Sequence, residues 1–307
     1  MLKVPPFRDS HMHFFRSGKP VSLREAQNLK DRYARNGVLS VRDMGHASGI
    51  GLDTKRAPGP VLDVQTAGYA LYRKGTYGAF LGEGVSGCGE IRKSVREIAD
   101  AGADFLKVIN SGIVSPAHTG SVTEGGFSAG ELGFICAGAA ERGLDVACHA
   151  NSDAAIRNAV EAGVSSIEHG YFISRETLHL MAEKGVSWTP TVFALRVLSS
   201  ILSPAESACI DEIIEGHLSS IHYASTIGVK LRVGTDSGSR GVHHGESFFD
   251  ELLLFREAGL LLEQILAAAC MGREEIDKGN YLVVKEDFIA SRKIEAVFRG
   301  GVRISAP

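Results

Sequence analysis

The chain has 307 residues, which is long for an ordinary single domain but usual for an α/β barrel. Its composition, with 44% hydrophobic residues, 22% charged residues and 9 prolines, predicts a globular protein with a large core and excludes a disordered chain. The formal net charge of −3 gives no electrostatic reason to expect nucleic acid or an anionic membrane as a partner.

No targeting or membrane-spanning segment is predicted. The first residues, MLKVPPFRDS, lack the apolar stretch of a signal peptide, and the longest apolar run, GLLLEQILAAACMG, is interrupted by Glu263 and Gln264. Five scattered cysteines, never in a C-x-x-C arrangement, are typical of reduced and mostly buried thiols. We therefore expect a cytoplasmic protein that acts on a small molecule, and the sequence leaves open whether it forms a homo-oligomer.

Eight short apolar and β-branched runs alternate with stretches of helical periodicity. In chain order the runs are PPFRDSHMH, GVLSVRDMG, PVLDVQTAG, ADFLKVINSG, LDVACHA, VSSIEHG, VSWTPT and VKLRVGTDSG. The predicted helices cover residues 22–36, 88–101, 128–142, 152–162, 174–184, 204–227 and 247–258. This alternation predicts a parallel sheet covered by helices, and most of the runs are as continuously apolar as doubly buried strands should be.

A helix–glycine–strand junction recurs five times, in RNGVLSV, ERGLDVA, EAGVSSI, EKGVSWT and TIGVKLR. This repetition favours a (β/α)8 TIM barrel over an open doubly wound sheet, although the strand order cannot be read from the sequence. Two glycine-rich connections are unusually long, YALYRKGTYGAFLGEGVSG and INSGIVSPAHTGSVTEGG. After residue 272, GNYLVVKEDF and KIEAVFRGGVRI indicate two further short strands. We therefore predict a barrel over residues 7–272 and a short C-terminal β appendage over residues 273–307.

Candidate metal ligands occur at the ends of several predicted strands, where barrel enzymes build their active sites. They are His11, His13, Lys107, His149, His169 and Asp236. Residues i and i+2 of a strand point to one side, so His11 and His13 can bind the same ion. Any single histidine here could be structural. Four histidines from three strand ends, together with Asp236, favour a divalent transition metal such as zinc.

Lys107 lies within the apolar run FLKVI, where an unpaired ammonium would be costly to bury. One solution is reaction with carbon dioxide, which converts the amine to an anionic carbamate able to bridge two metal ions. The alternative is an ion pair with an acidic side chain at the barrel mouth.

The ordered motifs DSHMH, FLKV, ACHA, IEHG and GTDSG resemble the amidohydrolase superfamily, in particular its prolidase-like and imidazolonepropionase-like branch. The similarity extends over nearly the whole chain, through VRDMG, GGFSAGEL, ERGLDVACHA, EAGVSSIEHG and MAEKGVSWTPT. One departure is that the members usually have further strands before the His-x-His motif, as part of a small β-domain. That N-terminal part is expected to be missing here, which leaves open what the C-terminal strands pair with.

The resemblance implies two divalent metal ions, with zinc as the expected metal. His11, His13 and Asp236 would hold the more buried ion, His149 and His169 the more exposed one, and carbamylated Lys107 would bridge them. A hydroxide shared by the ions would attack the scissile carbonyl, and Asp236 would pass its proton to the leaving nitrogen.

Residues in or near the active-face loops are weaker candidates for substrate binding, and each could instead be a structural loop residue. They are Tyr72, Arg73, Tyr77, His118, Tyr171, Arg196, Arg240 and His244. An arginine would suit a substrate carboxylate through bidentate pairing. Glu168 and His46 are similarly ambiguous.

The leading hypothesis is a metal-dependent hydrolase of an amide or other C–N bond in a dipeptide, N-acyl amino acid or cyclic amide. The alternatives are a mononuclear deaminase or imidazolone-type hydrolase with an unmodified Lys107, a lactone or ester hydrolase, and a catalytically silent barrel that acts as a binding protein. A silent barrel should have lost metal ligands, and no ligand is missing from this sequence.

Overall fold

A computed structural model describes residues 1–57, 59, 62–118 and 121–305. The start of the third predicted strand, Pro60 and Val61, lies outside the described residues. So do Thr119 and Gly120 of the second long loop and the last two residues of the predicted appendage.

The described residues form fifteen strands and twelve helices. The strands are β1 (Leu2–Val4), β2 (Phe7–Met12), β3 (Phe15–Arg16), β4 (Lys19–Pro20), β5 (Val38–Asp43), β6 (Asp63–Thr66), β7 (Ala70–Arg73), β8 (Gly82–Val85), β9 (Phe105–Ile109), β10 (Asp145–Ser152), β11 (Ser166–Phe172), β12 (Ser187–Thr189), β13 (Tyr281–Val284), β14 (Ile294–Arg299) and β15 (Val302–Ser305). The helices are α1 (Leu23–Arg35), α2 (Ile50–Arg56), α3 (Gly87–Asp100), α4 (Ala129–Ala140), α5 (Asp153–Ala162), α6 (Arg175–Lys184), α7 (Val192–Ser199), α8 (Pro204–Thr226), α9 (Ser247–Glu257), α10 (Leu262–Ala269), α11 (Glu274–Asp277) and α12 (Phe288–Ser291).

The central sheet is a parallel barrel, as predicted. Strands β2, β5 and β6 pair in that order, and β9, β10, β11 and β12 pair in that order. The two groups meet where the Asp104 amide donates to the Thr66 carbonyl at 2.8 Å. Strand β7, within the first predicted long loop, pairs in parallel with β9 and with β8.

Residues 230–235, called the eighth barrel segment below, close the barrel through separate hydrogen bonds instead of a regular ladder. The Trp188 amide donates to the Lys230 carbonyl at 2.9 Å on one side. On the other side the Ser10 amide donates to the Val233 carbonyl at 2.9 Å. All eight predicted runs therefore contribute to the barrel.

Helix α1 shows how the sequence determines the outer layer. Ser22 and Glu25 form a capping box, in which the Ser22 amide donates to the Glu25 carboxylate at 2.8 Å and the Glu25 amide to the Ser22 hydroxyl at 3.3 Å. Ala26, Leu29 and Tyr33, spaced three and four residues apart, are buried against the barrel core. The predicted bounds of this helix, 22–36, differ from the observed ones by one residue at each end.

Helices α10, α11 and α12 were not predicted, and neither were α2 and α7, whose N-terminal backbone is unusual. Their N-cap residues, Gly49 and Thr191, have left-handed backbone with φ of 69° and 52°, and neither makes a side-chain cap within the described residues. The first amides of α7 instead donate to Glu251, a residue far along the chain.

The predicted appendage is a four-stranded antiparallel sheet in the order β1-β13-β14-β15. The prediction of two strands after residue 272 was wrong in number, because KIEAVFRGGVRI folds back on itself. Gly300 and Gly301, with φ of 55° and 79°, form the turn between β14 and β15. Strand β1 supplies the fourth strand through the register Leu2↔Val284, which answers what the C-terminal strands pair with.

Two further expectations concerned membrane-spanning helices and the state of the cysteines. Within the described ranges, no helix is both long and apolar enough for a bilayer crossing. All five cysteines are free thiols, of which Cys136 and Cys148 are buried and Cys88 is exposed.

Candidate metal centre

His11 and His13 lie at the C-terminal end of β2, and their side chains converge on Asp236. Each histidine places its Nε2 atom 3.4 Å from Asp236 Oδ1. One ligand atom from each of the three residues lies within 4.8 Å of the other two. Both histidines are buried, with exposed fractions of 1% and 4%. The i, i+2 spacing in HMH therefore does bring two imidazoles to one point.

The backbone is held in unfavourable conformations at three neighbouring strand ends. Asp236, His169 and Thr191 have φ of 56°, 68° and 52°, in the left-handed region. A non-glycine residue there costs about 1–3 kcal/mol, and such strain clusters at functional sites.

Gly234 allows the eighth barrel segment to approach β2 closely. A Cβ atom added at this position would lie 2.7 Å from the Cβ of His11 and 2.4 Å from the Cγ2 of Thr189. Any larger residue would push the segment that carries Asp236 away from the two histidines.

The rings of His11 and His13 are each fixed by a hydrogen bond through Nδ1. His11 Nδ1 donates to the Glu168 carboxylate at 2.7 Å, and His13 Nδ1 donates to the Gly45 carbonyl at 2.9 Å. Glu168 also accepts from the Ser166 hydroxyl at 2.6 Å. Because Nδ1 carries the proton in both rings, the Nε2 lone pairs point toward Asp236 and are free to bind a metal ion.

His169 and His149 are oriented in the same way. His169 Nδ1 lies 2.7 Å from the Thr191 hydroxyl, which itself donates to the Pro190 carbonyl at 2.8 Å, so the histidine is the donor and its Nε2 is free. His149 Nε2 donates to the Gly112 carbonyl at 3.1 Å, which leaves Nδ1 free. The His169 ring centroid lies 4.6 Å from that of His149 and 4.8 Å from that of His11.

The protonation states of His149 and His169 suit metal ligation. Burial lowers the pKa of His149 to about 3 and that of His169 well below its ordinary value, so both imidazoles are neutral at neutral pH. Burial opposes ionisation of Asp236, but the close approach of the His11 and His13 imidazoles outweighs it and holds the pKa of this carboxyl well below its ordinary range.

Lys107 lies within β9 and is 1% exposed. Its Nζ has no hydrogen-bond partner among the described residues. Burial is the largest influence on this amine and lowers its pKa, which favours the neutral form. Among the described residues, Lys107 therefore does not form the ion pair with an acidic side chain that the sequence left open. Its amine is available for a chemical modification or for a bound ligand.

A cavity of about 360 Å³ opens directly above these residues. One end is lined by His11, His13, Lys107, His149, His169 and Asp236. The walls are mainly apolar and come from four parts of the chain. Phe15 forms one part, and the first long loop contributes Phe80 and Leu81. The second long loop contributes Ile113 and Val114, and α7 contributes Leu195 and Leu198. Three rim residues, Phe80, Ile113 and Ile201, are exposed large hydrophobics. This combination of an apolar chamber with polar groups at one end is typical of a small-molecule site.

Three of the eight candidate substrate-binding residues, Tyr77, Tyr171 and Arg240, line this cavity. The other five, Tyr72, Arg73, His118, Arg196 and His244, are not among the described residues that line it.

Those five residues have other surroundings. Arg196 pairs with Glu257 at 2.8 Å, and Arg73 and His118 are exposed. His244 Nε2 donates to the His13 carbonyl at 2.8 Å, so His244 stabilises the backbone of a candidate metal ligand. Tyr72 packs with Phe15 and Leu81 in a small apolar cluster. None of these five residues is therefore proposed as a substrate contact.

Sequence reasoning missed several residues of the site. Asn151 and Ser239 line the cavity, and the Ser239 hydroxyl donates to Asp236 Oδ2 at 3.0 Å. Thr191 orients His169. The signal available for Asn151 and Ser239 was their position two and three residues beyond a predicted ligand. No local signal indicates the wall formed by α7.

Two curated proteins illustrate what the chain is similar to in sequence. The ochratoxinase of Aspergillus niger is 28% identical over 286 residues, which cover 78% of this chain and 58% of that protein. An uncharacterized protein of Mycobacterium tuberculosis is 25% identical over 294 residues, which cover 89% of this chain and 75% of that protein.

Solved structures share the fold. A crystal structure of a Xaa-Pro dipeptidase with bound methionine superposes with a TM-score of 0.80 at 22% identity, covering 99% of this chain and 87% of that chain. The structure of an amidohydrolase gives a TM-score of 0.78 at 27% identity with the same coverage of both chains. The model of the amidohydrolase family matches residues 2–275, which is most of the chain. The protein therefore belongs to the amidohydrolase family.

Proposed function

We propose that the protein is a metal-dependent hydrolase that cleaves the amide bond of a small molecule bearing an apolar group and a carboxylate. One observation carries the proposal: four histidines, a carboxylate and an unpartnered lysine amine converge at the end of an apolar cavity. Membership of the amidohydrolase family supports the same reaction type.

The donor set fits two divalent ions. Imidazole nitrogen and carboxylate oxygen are the ligands zinc takes in hydrolytic sites. His11 and His13, through Nε2, and Asp236 would hold one ion, and His149 and His169 the other. Lys107 lines the same cavity, and its neutral amine is the form that reacts with carbon dioxide to give a carbamate, which would supply a further anionic ligand.

When bound, the metal ions would lower the pKa of a water molecule and polarise the scissile carbonyl. The protein's own residues transfer the proton, orient the imidazole rings and exclude water. Asp236 is ionised at neutral pH and can accept a proton from the attacking water and deliver it to the leaving nitrogen. Glu168 and Thr191 keep the rings of His11 and His169 in the required orientation. The apolar walls exclude bulk water from the reacting groups.

The residues of the cavity walls favour one class of substrate. The side chains of Phe80, Leu195 and Leu198 present apolar surface to an acyl or aryl group. Arg240 also lines the cavity, and it makes no ion pair with any described residue. A free guanidinium at the rim suits a substrate carboxylate. N-acyl amino acids with an aromatic or branched acyl group, and dipeptides of apolar residues, have this combination.

An activity screen tests the proposal. Zinc-loaded protein is assayed with aromatic N-acyl amino acids, apolar dipeptides, cyclic amides and lactones. We expect turnover of the N-acyl amino acids or dipeptides. If only the lactones are hydrolysed, the assignment to amide bonds is wrong.

The role of Arg240 is tested with a matched pair of variants. Arg240→Gln should raise KM for carboxylate-bearing substrates roughly fivefold, because an exposed ion pair contributes about 1 kcal/mol, while kcat changes little. Arg196→Gln is the control, since Arg196 is engaged with Glu257 outside the cavity. Equal effects of the two variants, or an equal effect of Arg240→Gln on substrates that lack a carboxylate, would contradict the assignment.

A further inference from the structure

A second cavity, of about 670 Å³, opens at the other end of the barrel. It is lined by residues at the N-terminal ends of the first and eighth barrel positions, including Arg8 of β2 and Arg232. In a parallel barrel these ends lie on the face opposite the metal ligands. We call it the basal cavity and define it by its charged lining residues, Lys3, Arg8, Lys230, Arg232, Glu263 and Arg273.

The charge of the basal cavity differs in sign from that of the whole chain. Five of its charged lining residues are basic and one is acidic, although the net charge of the protein is −3. None of the five basic side chains forms an ion pair within the described part of the chain. Glu275, a nearby acid, is already engaged by Lys278 at 2.6 Å and by Asn280 at 2.6 Å. Within the described part of the chain, the five basic side chains of the basal cavity therefore have no direct ion-pair partner.

Arg8 and Arg232 are the most enclosed basic groups of this set. Arg8 Nε donates to the Ser40 hydroxyl at 3.1 Å, which in turn donates to Asp63 at 3.3 Å, and this holds the guanidinium in place. Its remaining nitrogens donate to no acceptor among the described residues. Burial lowers the pKa of Arg8, Asp63 opposes that effect, and the neighbouring positive charge of Arg232 lowers the pKa further.

A third arginine, Arg42, is near this pair. It is 6% exposed, and its Nη1 has no hydrogen-bond partner among the described residues. Glu168 favours the positive charge of Arg42, while Arg8 and Arg232 are close enough to disfavour it. Like charges gathered in a partly desolvated space are unfavourable unless an anion lies among them.

The remaining walls of the basal cavity are largely apolar. Val4, Pro5, Leu231, Leu266 and Met271 line it. A ligand that fits both features carries negative charge on one part and apolar surface on another. A fully hydrated inorganic ion would use the basic groups and leave the apolar walls unfilled.

We propose that the basal cavity binds a small organic dianion, with its phosphate or paired carboxylates at Arg8 and Arg232 and its carbon skeleton against the apolar wall. Arginine binds either group through two parallel N–H donors. This site is separate from the metal centre and does not depend on the proposed hydrolase activity.

Titration calorimetry of the full chain at low ionic strength tests the proposal, with phenyl phosphate and phthalate as the two probes. We expect one site per chain for at least one probe, and the preferred probe identifies the ligand as a phosphate or a dicarboxylate. Arg232→Gln should weaken binding about tenfold, as loss of a charge-assisted contact does. Arg24→Gln, which removes an exposed positive charge of α1, is the matched control and should bind as the wild type does.

Two further variants keep the test decisive. Arg8→Gln also loses the contact with Ser40, so its fold is checked by circular dichroism, and Lys230→Gln at an exposed position supplies an independent loss of basic charge. His149→Asn alters the metal centre and should retain binding. No binding of either probe by the wild type, equal weakening by Arg232→Gln and Arg24→Gln, or loss of binding in His149→Asn would each overturn the proposal.

Discussion

Glu168 immediately precedes one candidate metal ligand, His169, in the sequence, and its carboxylate accepts a hydrogen bond from another, His11, at 2.7 Å. The side chain is fully buried, and its hydrogen bond with His11 together with nearby Lys107 and Arg42 lowers the pKa of the carboxyl despite burial. A carboxylate in this position fixes the tautomer of the imidazole and makes Nε2 a better metal ligand.

Glu168→Gln should therefore weaken metal binding about tenfold or more while leaving the ligand set intact. The glutamine keeps the shape of the side chain but loses the negative charge opposite His11. Metal affinity is measured by competition with a chromogenic chelator. Glu257→Gln is the control, because Glu257 is an exposed partner of Arg196. Unchanged affinity in Glu168→Gln would show that this carboxylate has no role in metal binding.

The sequence was sufficient to predict all six candidate ligands, because each follows or lies within a buried strand run. It was insufficient for residues whose importance depends on a distant partner. Thr191 matters through its 2.7 Å contact with His169, and Arg196 is removed from the cavity by its pairing with Glu257. Neither of these two contacts can be recognised from the residues adjacent to it in the sequence.

Helix α7 forms one wall of the active-site cavity, and its N-terminus is held by a side chain from α9. Glu251 is fully buried and accepts hydrogen bonds from the Val192 and Phe193 amides, both at 2.8 Å. Burial raises the pKa of Glu251 to about 8, against the lowering effect of those two amides. The element is thus anchored by a carboxyl that is mostly protonated at neutral pH.

This raised pKa has a consequence for stability. Between the ordinary value near 4.5 and the folded value of about 8, the folded chain holds a proton on Glu251 that the unfolded chain has released. The contribution of Glu251 to the free energy of unfolding is therefore complete below that window and falls as pH rises through it, by at most about 1.4 kcal/mol per pH unit.

Glu251→Gln removes this titration. The free energy of unfolding is measured with urea from pH 5 to pH 8. We expect the wild type to be more stable than the variant at pH 5, with a difference that shrinks toward pH 8. The control is Glu206→Gln, because Glu206 is an exposed capping residue of α8 whose pKa is lowered and which does not titrate in this range. A constant difference between wild type and Glu251→Gln would contradict the assigned protonation.

The predicted helices with ordinary N-terminal signals, such as α1 and α4, were found within two residues of their expected ends. Helix α7 was missed because its cap is supplied from 59 residues away and its first residue follows a strained Thr191. A local sequence pattern predicts hydrogen bonds between residues that are close in sequence. It cannot predict a helix cap supplied by a residue that is distant in sequence.

At the scale of the whole molecule, the chain places different chemistry at the two ends of one barrel. The C-terminal ends of the strands carry the candidate metal ligands, and the N-terminal ends carry the basal cavity with its excess of arginine and lysine. The repeated helix–glycine–strand junctions were enough to predict the barrel, because they set the alternation of elements. The pairing of Leu2–Val4 with the C-terminal strands could not be predicted, because three residues have no periodicity to read.

The central claim is that the six converging side chains hold two divalent metal ions, with Lys107 carbamylated between them. The most direct measurement is elemental analysis of the purified full chain, made together with its activity before and after removal of metal by a chelator. We expect close to two ions per chain, loss of activity with the metal, recovery on adding zinc and bicarbonate, and about one ion or fewer in Lys107→Ala. A well-folded, metal-free chain that hydrolyses amides equally well in the presence of chelator would contradict the claim.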